Sequence, residues 1–277
     1  MTHPMTHPAM TPEQIEDFGR ELDTIREKVI ADLGVADVDY IRRAIKAQRG
    51  MEVAGRGLLM FPPAWPLGTA LLACSKILDN MEIGHNVMHG QYEWTGDPAL
   101  NGRTFEWDTA CPVDQWRHSH NVVHHTYTNI VGMDRDIGYG ILRMSPEQPW
   151  RPYFLGNPLY AFLLMVLFQY GVALHEVETE RIRDGEISLA DKRQVLEEIW
   201  RKTRRQMLKD YVAFPLLAGP FAPFVFAGNL TANLVRNVWA FSIIFCGHFP
   251  DGTAEFTVEE TREETRGQWY YRQILGS

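Results

Sequence analysis

Two groups of histidines in this sequence have the spacing of metal ligands. The first group places His85 and His89 four residues apart, and the second repeats that spacing with His120 and His124 and adds the neighbour His125. Residues four apart share one face of an α-helix, whereas adjacent residues differ by about 100° of helical rotation. The adjacent pair can therefore serve two metal ions, or one ring can bind metal while the other supports it.

The residue types indicate a metal site without naming the metal. Imidazole binds iron, zinc, copper and nickel. Asn86 stands directly after the first histidine, where the helix of a zinc protease has a glutamate. The two groups lie about 30 residues apart, and each adjoins an apolar segment. They indicate an all- or mostly-histidine metal centre at a membrane boundary.

Apolar segments must position these groups. Four stretches are predominantly apolar: 58–78, 154–174, 211–228 and 234–249. The second has 21 uncharged positions, enough to cross a bilayer core of roughly 30 Å. The first contains prolines and predicts either one kinked span or two short arms formed together with the preceding residues 51–57. The polar connector 229–233 predicts a hairpin of the last two. A soluble protein with apolar core helices is the alternative, which four separate stretches disfavour.

Basic residues predict how the chain is oriented in the membrane. The charged, helical block 176–210 ends with Arg201, Lys202, Arg204, Arg205 and Lys209, and basic residues beside a span favour the cytoplasmic face. The predicted hairpin then returns His248 to that face. We therefore expect an all-α, membrane-embedded helical bundle of about four apolar segments, with a cytoplasmic helical cap that carries the histidines.

The N-terminal region has clear helix signals. Thr11, Pro12 and Gln14 form a predicted capping box that starts a helix running to about Leu33, and a second helix begins near Asp37. We expect a polar, amphipathic region over 1–37 and one larger domain over 38–277. The net charge of −8 disfavours nucleic acid as a partner. The three cysteines lack a paired spacing and predict free thiols.

The histidine groups resemble those of a known family. GHNVMHGQYEW and WRHSHNVVHHTYTN are similar to the first and second histidine boxes of membrane fatty-acid desaturases, above all bacterial acyl-CoA desaturases of the linoleoyl-CoA or stearoyl-CoA type. The resemblance continues through GMDRDIGYG and GHFPDG, so it covers 38–277 as a desaturase domain. It implies O₂-dependent insertion of a double bond into an acyl-CoA or acyl-lipid chain, by two histidine-bound non-haem irons in a bacterial inner membrane.

The resemblance also assigns roles to residues. The implied metal ligands are His85, His89, His120, His124, His125 and His248, with His118 as a candidate outside the usual pattern. The alternative for His248 is a helix-terminal histidine bonded to backbone carbonyls. Candidates to orient the imidazoles are Asn86, Asn121, Asp134 and Asp136, and solvated loop positions are the alternative for the two aspartates. His175 is interpreted as structural.

Substrate and electron donor are assigned in the same way. Trp94, Trp107 and Trp116 are candidates for an acyl tunnel or for interfacial aromatics. Trp116 and Arg117 are the candidate head-group residues. Arg135 and the basic run 201–209 fit either coenzyme A phosphates or anionic lipids. Electrons are expected from a ferredoxin- or cytochrome-type donor with its reductase, because the sequence has no Gly-x-Gly-x-x-Gly motif.

One family feature is absent from this sequence. The family has a third box, His or Gln followed by x-x-His-His, and no histidine follows His248 here. We therefore expect a shortened desaturase with an incomplete ligand set. Two alternatives stay open: a related membrane di-iron hydroxylase, and a truncated, inactive desaturase fragment.

Overall fold

The computed structural model describes residues 10–146, 148–250 and 252–276, and this part of the chain consists of helices joined by turns and loops, with one isolated bridge between Ile130 and Phe256. The predicted all-α class is confirmed. The α-helices are α1 (Pro12–Asp32), α2 (Val35–Leu59), α3 (Trp65–Ile77), α4 (Asn86–Met88), α5 (Val113–Trp116), α6 (His125–Tyr127), α7 (Asn157–Val166), α8 (Phe168–Leu174), α9 (Thr179–Arg183), α10 (Arg193–Leu208), α11 (Phe214–Leu217), α12 (Ala222–His248), α13 (Val258–Thr261) and α14 (Arg266–Leu275).

Wider and tighter helical turns join these helices. The π-helical segments are π1 (Leu78–His85), π2 (Arg117–His124) and π3 (Lys209–Ala213). The 3₁₀ turns are Pro62–Ala64, Glu93–Thr95, Pro98–Leu100, Gly138–Gly140, Pro152–Gly156, His175–Val177 and Gly219–Phe221. Because π1 continues α3 into α4, and π2 joins α5 to α6, each histidine group lies on one continuous helical unit.

The N-terminal capping signals form as predicted. Thr11 accepts a hydrogen bond from the backbone of Gln14, and the Gln14 side chain accepts one from the backbone of Thr11. The second helix begins at Val35, two residues before the expected start, with Asp37 accepting a bond from the Gly34 nitrogen. The boundary between residues 37 and 38 stays a prediction, and α2 runs through it. The helix α1 packs against α14 at the other end of the chain.

The first apolar stretch forms two arms, one of the two predicted alternatives. After α2 ends, the chain turns through Pro62–Ala64 and α3 runs back along α2. Glycines permit the close approach, since a Cβ added at Gly68 would lie 3.0 Å from the Gly55 carbonyl oxygen. This contact holds the base of π1, and with it His85, against α2.

The second apolar stretch is not the straight span that its 21 uncharged positions predicted. The segments Pro152–Val166 and Phe168–Val177 meet at an angle of 101°. The Asn237 side chain of α12 donates to the Val166 carbonyl at 2.8 Å and accepts from the Gln169 nitrogen at 3.4 Å. A side-chain amide therefore satisfies backbone groups on both sides of the bend, and this lowers the free-energy cost of bending the helix.

The predicted connector at 229–233 is wrong, because α12 is continuous through it. The turn instead lies at Gly219, whose φ of 56° lies in the left-handed region, between α11 and α12. The asparagines that indicated a loop face the buried residue Asp210. Asn229 donates to the Asp210 carbonyl at 2.6 Å, and Asn233 donates to the Asp210 side chain at 3.1 Å.

Asp210 belongs to a buried charge network that joins α2, α3, π3 and α12. Its side chain is fully buried, and its oxygens lie 2.9 Å from Lys76 Nζ and 3.3 Å from Arg56 Nη2. Lys76 also pairs with Asp108 at 2.7 Å, and Arg236 donates to the Asp108 carbonyl at 3.0 Å. These charges satisfy one another in the interior, as buried charges must.

Helices long and apolar enough to cross a membrane are fewer than the four predicted. Among the described residues, Gly219–His248 meets that description as a single helix, and the bent pair around Leu167 adds a second only if it forms one broken span. The charged block predicted over 176–210 forms α9 and α10. The four-span bundle is therefore not confirmed.

Candidate metal centre

Both histidine groups lie where the helix widens to π geometry. His85 lies in π1 and both His120 and His124 lie in π2, while His89 follows α4 and His125 begins α6. A π turn bonds residue i to residue i+5, so residues five apart come together. The Nε2 atoms of His120 and His125 are 3.2 Å apart, and those of His85 and His89 are 2.9 Å apart. The α-helical rotation assumed for the sequence does not bring His120 and His125 this close.

The two groups converge on one place. The His120 ring lies 5.1 Å from the rings of both His85 and His89, and His89 lies 4.9 Å from His125. His248, at the end of α12, lies 4.9 Å from His124 while its Nδ1 contacts the Ile244 carbonyl at 2.6 Å. That contact leaves its Nε2 free to bind metal. Six of the seven predicted ligands thus form one cluster.

Burial keeps most of these rings neutral. Burial, followed by repulsion from neighbouring imidazoles, lowers the pKa of His85 to about 4 and that of His89 to about 3. The same causes hold the pKa of His120 well below its usual value and lower that of His125. A neutral imidazole offers a lone pair to a metal. These four side chains are therefore ready to bind a metal at neutral pH.

His124 has a different electrostatic setting. Its Nδ1 lies 3.1 Å from Asp134 and 3.6 Å from Asp136. Burial disfavours its charged form, but the carboxylates of Asp136 and Asp134 outweigh burial and raise its pKa to about 9. Both aspartates are buried, so the alternative of solvated loop positions is wrong. Asp134 is itself fixed by the backbone nitrogens of Asn129 and Asp136, at 2.8 and 3.0 Å.

Two donor sets in this cluster are compact enough for metal ions. One consists of His85, His89 and His120, and the other of His120, His124 and Asp136, and the donor atoms of each set lie within 4.8 Å of one another. Imidazole nitrogen with an occasional carboxylate is a ligand set that suits non-haem iron. The side chains present therefore fit a histidine-bound iron centre.

The other predicted site residues are spread around the cluster. His118 is exposed, and its Nδ1 pairs with Glu176 at 2.9 Å, with no ring contact to another described histidine. Asn121 donates to the Met88 carbonyl at 2.9 Å and so ties π2 to α4. Asn86 bonds within its own helix, to the Glu82 carbonyl.

Two tryptophans form the wall of a narrow cavity beside the cluster. Trp116 stacks on His120 with ring centroids 4.4 Å apart, and Trp107 contacts Trp116 at 5.6 Å. The cavity measures about 60 Å³ and is also lined by Gln169 and Asn237. Trp94, in contrast, is exposed. No sequence pattern indicates the two amides, because they lie within apolar stretches.

A larger cavity with six basic and five acidic side chains, named the basic cavity, adjoins this one. It measures about 700 Å³, and Trp107 and Thr109 line both cavities. Its basic side chains are Arg42, Lys46, Arg49, Lys202, Arg205 and Lys209, and its acidic side chains are Glu52, Asp79, Asp97, Glu106 and Asp108. The sequence predicted the contribution of α10 and missed that of α2. Arg117 is not among the lining residues, and Arg135 pairs with Glu180 at 2.7 Å.

Comparison with known proteins identifies the family. The model of the fatty acid desaturase family matches residues 61–277. This chain belongs to the fatty acid desaturase family. No solved structure matches it significantly.

Individual relatives agree with this assignment. The chain is 46% identical over 275 residues to the NADPH-dependent stearoyl-CoA 9-desaturase of Mycobacterium tuberculosis, an alignment of 97% of this chain and 64% of the relative. It is 34% identical over 130 residues to the sn-1 linoleoyl-lipid 6-desaturase of Synechocystis, which covers 42% of this chain and 35% of that protein. The chain thus spans less than two thirds of the length of these curated relatives.

Proposed function

We propose that this chain holds the metal centre of a membrane-bound, O₂-dependent desaturase that introduces a double bond into an acyl-CoA or acyl-lipid chain. One observation supports this above all others: six histidines from three helical units converge on one buried place. These are His85, His89, His120, His124, His125 and His248. Membership of the desaturase family supports the reaction class.

The two donor sets are the places where two non-haem irons would bind. Iron and O₂ supply the oxidising power that breaks an unactivated C–H bond, which no side chain can supply. The protein contributes neutral imidazoles, a hydrogen bond from His124 to Asp134 that fixes which nitrogen faces the metal, and Asn121, which holds π2 against α4. The stacked Trp116 excludes water on one side of His120.

The two adjoining cavities support an acyl substrate with an anionic head group. Lys46, Arg49 and Arg205 line the basic cavity, and none has an ion pair among the described residues. They are therefore available for phosphates such as those of coenzyme A. From there a chain that passes Trp107 reaches the histidine cluster. The name of the mycobacterial relative, a stearoyl-CoA 9-desaturase, favours the acyl-CoA form.

Electrons would come from outside the chain, from a ferredoxin- or cytochrome-type donor with its reductase. The NADPH dependence in the name of the mycobacterial relative supports a reductase that uses this nucleotide. The helix Gly219–His248 and the bent pair support a membrane location. We infer that the histidines face the cytoplasm, because the basic run of α10 lines the larger cavity, which adjoins the one beside the histidines.

Lipid mass spectrometry and iron analysis test the proposal. Expression in a bacterium without its own desaturase should produce acyl chains that are two mass units lighter, and a gain of sixteen would instead indicate a hydroxylase. The protein purified in detergent should contain iron. An iron content near zero, with none recovered on reconstitution, would refute the metal centre.

Histidine variants sharpen this test. His120 belongs to both donor sets, so His120→Ala should abolish most iron binding. His118→Ala is the matched control, since its side chain is exposed and pairs with Glu176. It should keep at least half of the wild-type iron, and a loss equal to that of His120→Ala would show that His118 is a ligand.

A further inference from the structure

The helix that carries the second histidine group ends at a set of carbonyls that are all bonded. The last four carbonyls of a helix have no partner within it. Here the His124 carbonyl accepts from the Thr128 hydroxyl at 2.8 Å, and the Tyr127 carbonyl accepts from the Ile130 nitrogen at 2.8 Å. The carbonyls between them, of His125 and Thr126, accept from side chains almost 150 positions later in the sequence.

Arg272 of α14 supplies two of the hydrogen bonds at this helix end. Its Nη2 donates to the Thr126 carbonyl at 3.1 Å, and its Nη1 donates to the Thr128 carbonyl at 2.9 Å. The neighbouring Gln273 donates to the His125 carbonyl at 2.9 Å. Arg272 is 4% exposed. A buried guanidinium thus ends the helix whose last turn carries two predicted ligands.

The guanidinium is itself held in a fixed orientation. Its Nε and Nη2 donate to the two oxygens of Glu264, at 2.8 and 2.7 Å. A two-point pair of this kind fixes the plane of the group as well as its position. The free edge of that plane faces the helix end. A lysine at this position would have no planar fork with which to reach both carbonyls.

The same helix is anchored separately to the N-terminal part of the fold. Arg266 donates to Asp23 of α1, with Nε 2.7 Å from Oδ2. Gly19 and Gly267 allow the two helices to touch, since a Cβ added at Gly19 would lie 2.8 Å from the Gly267 Cα. The helix α14 therefore contacts α1 at its start, through Arg266, and the second histidine group at its end, through Arg272.

We propose that Arg272 is a positioning residue of the metal centre, acting with Gln273. The two side chains bond the carbonyls of His125, Thr126 and Thr128. These bonds fix the helix end and thereby the direction in which the imidazoles of His124 and His125 project. This inference rests on the proposed metal centre. It adds a residue outside every histidine group, and it makes the C-terminal end of α14 part of the site.

The test compares Arg272→Met with Arg266→Met in the full chain, purified in detergent. Both variants remove an arginine of α14 that pairs with a carboxylate, but Arg266 contacts α1 and not the helix end. Cobalt(II) is titrated as a metal probe, and its visible absorption reports ligand geometry. Arg272→Met should bind cobalt about 10–100-fold more weakly, with a changed spectrum. Arg266→Met should bind as the wild type does, and Arg272→Lys should recover part of the loss.

Hydrogen–deuterium exchange of the metal-free protein gives a second readout. Arg272→Met should accelerate exchange over 124–131 and 254–256, whereas Arg266→Met should affect only α1 and α14. Unchanged exchange over 124–131 would overturn the inference, as would wild-type cobalt binding and spectrum in Arg272→Met. Failure of the wild-type chain to bind cobalt would refute the proposed metal centre instead, and exchange would still decide whether Arg272 holds the helix end.

Discussion

Among the clustered histidines, His124 alone has a carboxylate within hydrogen-bonding distance in the described residues. The other rings contact one another and Trp116, and burial keeps them neutral. In the neutral ring that metal binding requires, the hydrogen bond to Asp134 would keep the remaining proton on Nδ1 and leave Nε2 to face the metal. A single side chain in the following loop therefore determines how this imidazole presents itself.

Replacing that carboxylate should weaken metal binding while the fold stays intact. Asp134→Asn keeps an oxygen of the same size near His124 but removes the negative charge that favours a donating Nδ1. We expect metal affinity to fall about 10–100-fold, measured by cobalt titration. Asp114→Asn is the control, because Asp114 is exposed on α5 of the same helical unit. Equal affinities of Asp134→Asn and wild type would show that the hydrogen bond does not orient the ligand.

At the scale of the element, the close packing of α2 on α3 predicts opposite effects on stability for two glycine substitutions. A Cβ at Gly55 would lie 2.9 Å from the Gly68 carbonyl oxygen, whereas one at Gly57, also on α2, would have no atom within 4 Å. Gly55→Ala should therefore destabilise the protein by about 1–3 kcal/mol through overpacking. Gly57→Ala should stabilise it by about 0.5–1 kcal/mol through helix propensity. Thermal unfolding in detergent measures both, and a lower melting temperature for Gly57→Ala would contradict the expected sign.

The start of π1 contains an acid whose ionisation opposes folding. Burial raises the pKa of Asp79 to about 6, although the Asp108 nitrogen bonds to its carboxylate. The folded chain thus binds this proton more tightly than the unfolded chain, whose value is near 3.8. The stability that this provides is complete below about pH 4 and is lost as the pH rises through about 6.

Asp79→Asn should remove that pH dependence. Relative to wild type, the variant should gain about 3 kcal/mol of stability between pH 4 and pH 7, because it keeps the acceptor oxygen without the buried charge. Melting temperatures across that pH range measure the change, with Asp39→Asn, an exposed position of α2, as the control. A difference between Asp79→Asn and wild type that does not vary with pH would contradict the assignment.

Local signals predicted some elements and failed at others for physical reasons. The start of α1 follows from Thr11 and Gln14, which act within four residues of each other. The continuity of α12 cannot be predicted in this way. Asn229 and Asn233 indicate a polar connector unless it is known that Asp210 faces them in the fold. The spacing of the histidines predicted which of them could share a metal site. The close approach of His120 to His125 depends on a π turn, which α-helical periodicity does not predict.

At the scale of the whole molecule, segments far apart in sequence complete the site. The helix α14 braces the second histidine group, α12 brings His248 to His124, and α2 lines the basic cavity. Two of these helices, α2 and α12, meet α3 at Asp210, which lies between Arg56 of α2 and Lys76 of α3 and accepts a hydrogen bond from Asn233 of α12. This network sets the distance between the arm that leads into π1 and the long helix α12.

Removing only the acidic side chain of this network should therefore destabilise the protein more than removing Asp210 and Lys76 together. Asp210→Leu leaves Lys76 and Arg56 buried without this partner, and we expect a loss of about 3–5 kcal/mol. Adding Lys76→Met should restore part of the stability, because Arg56 keeps Glu52 and Asp108 keeps Lys209. Thermal unfolding of the two variants measures this coupling. If the double variant is less stable than Asp210→Leu alone, Lys76 stabilises the bundle mainly through Asp108, and the network is held from the loop before α5 rather than from π3.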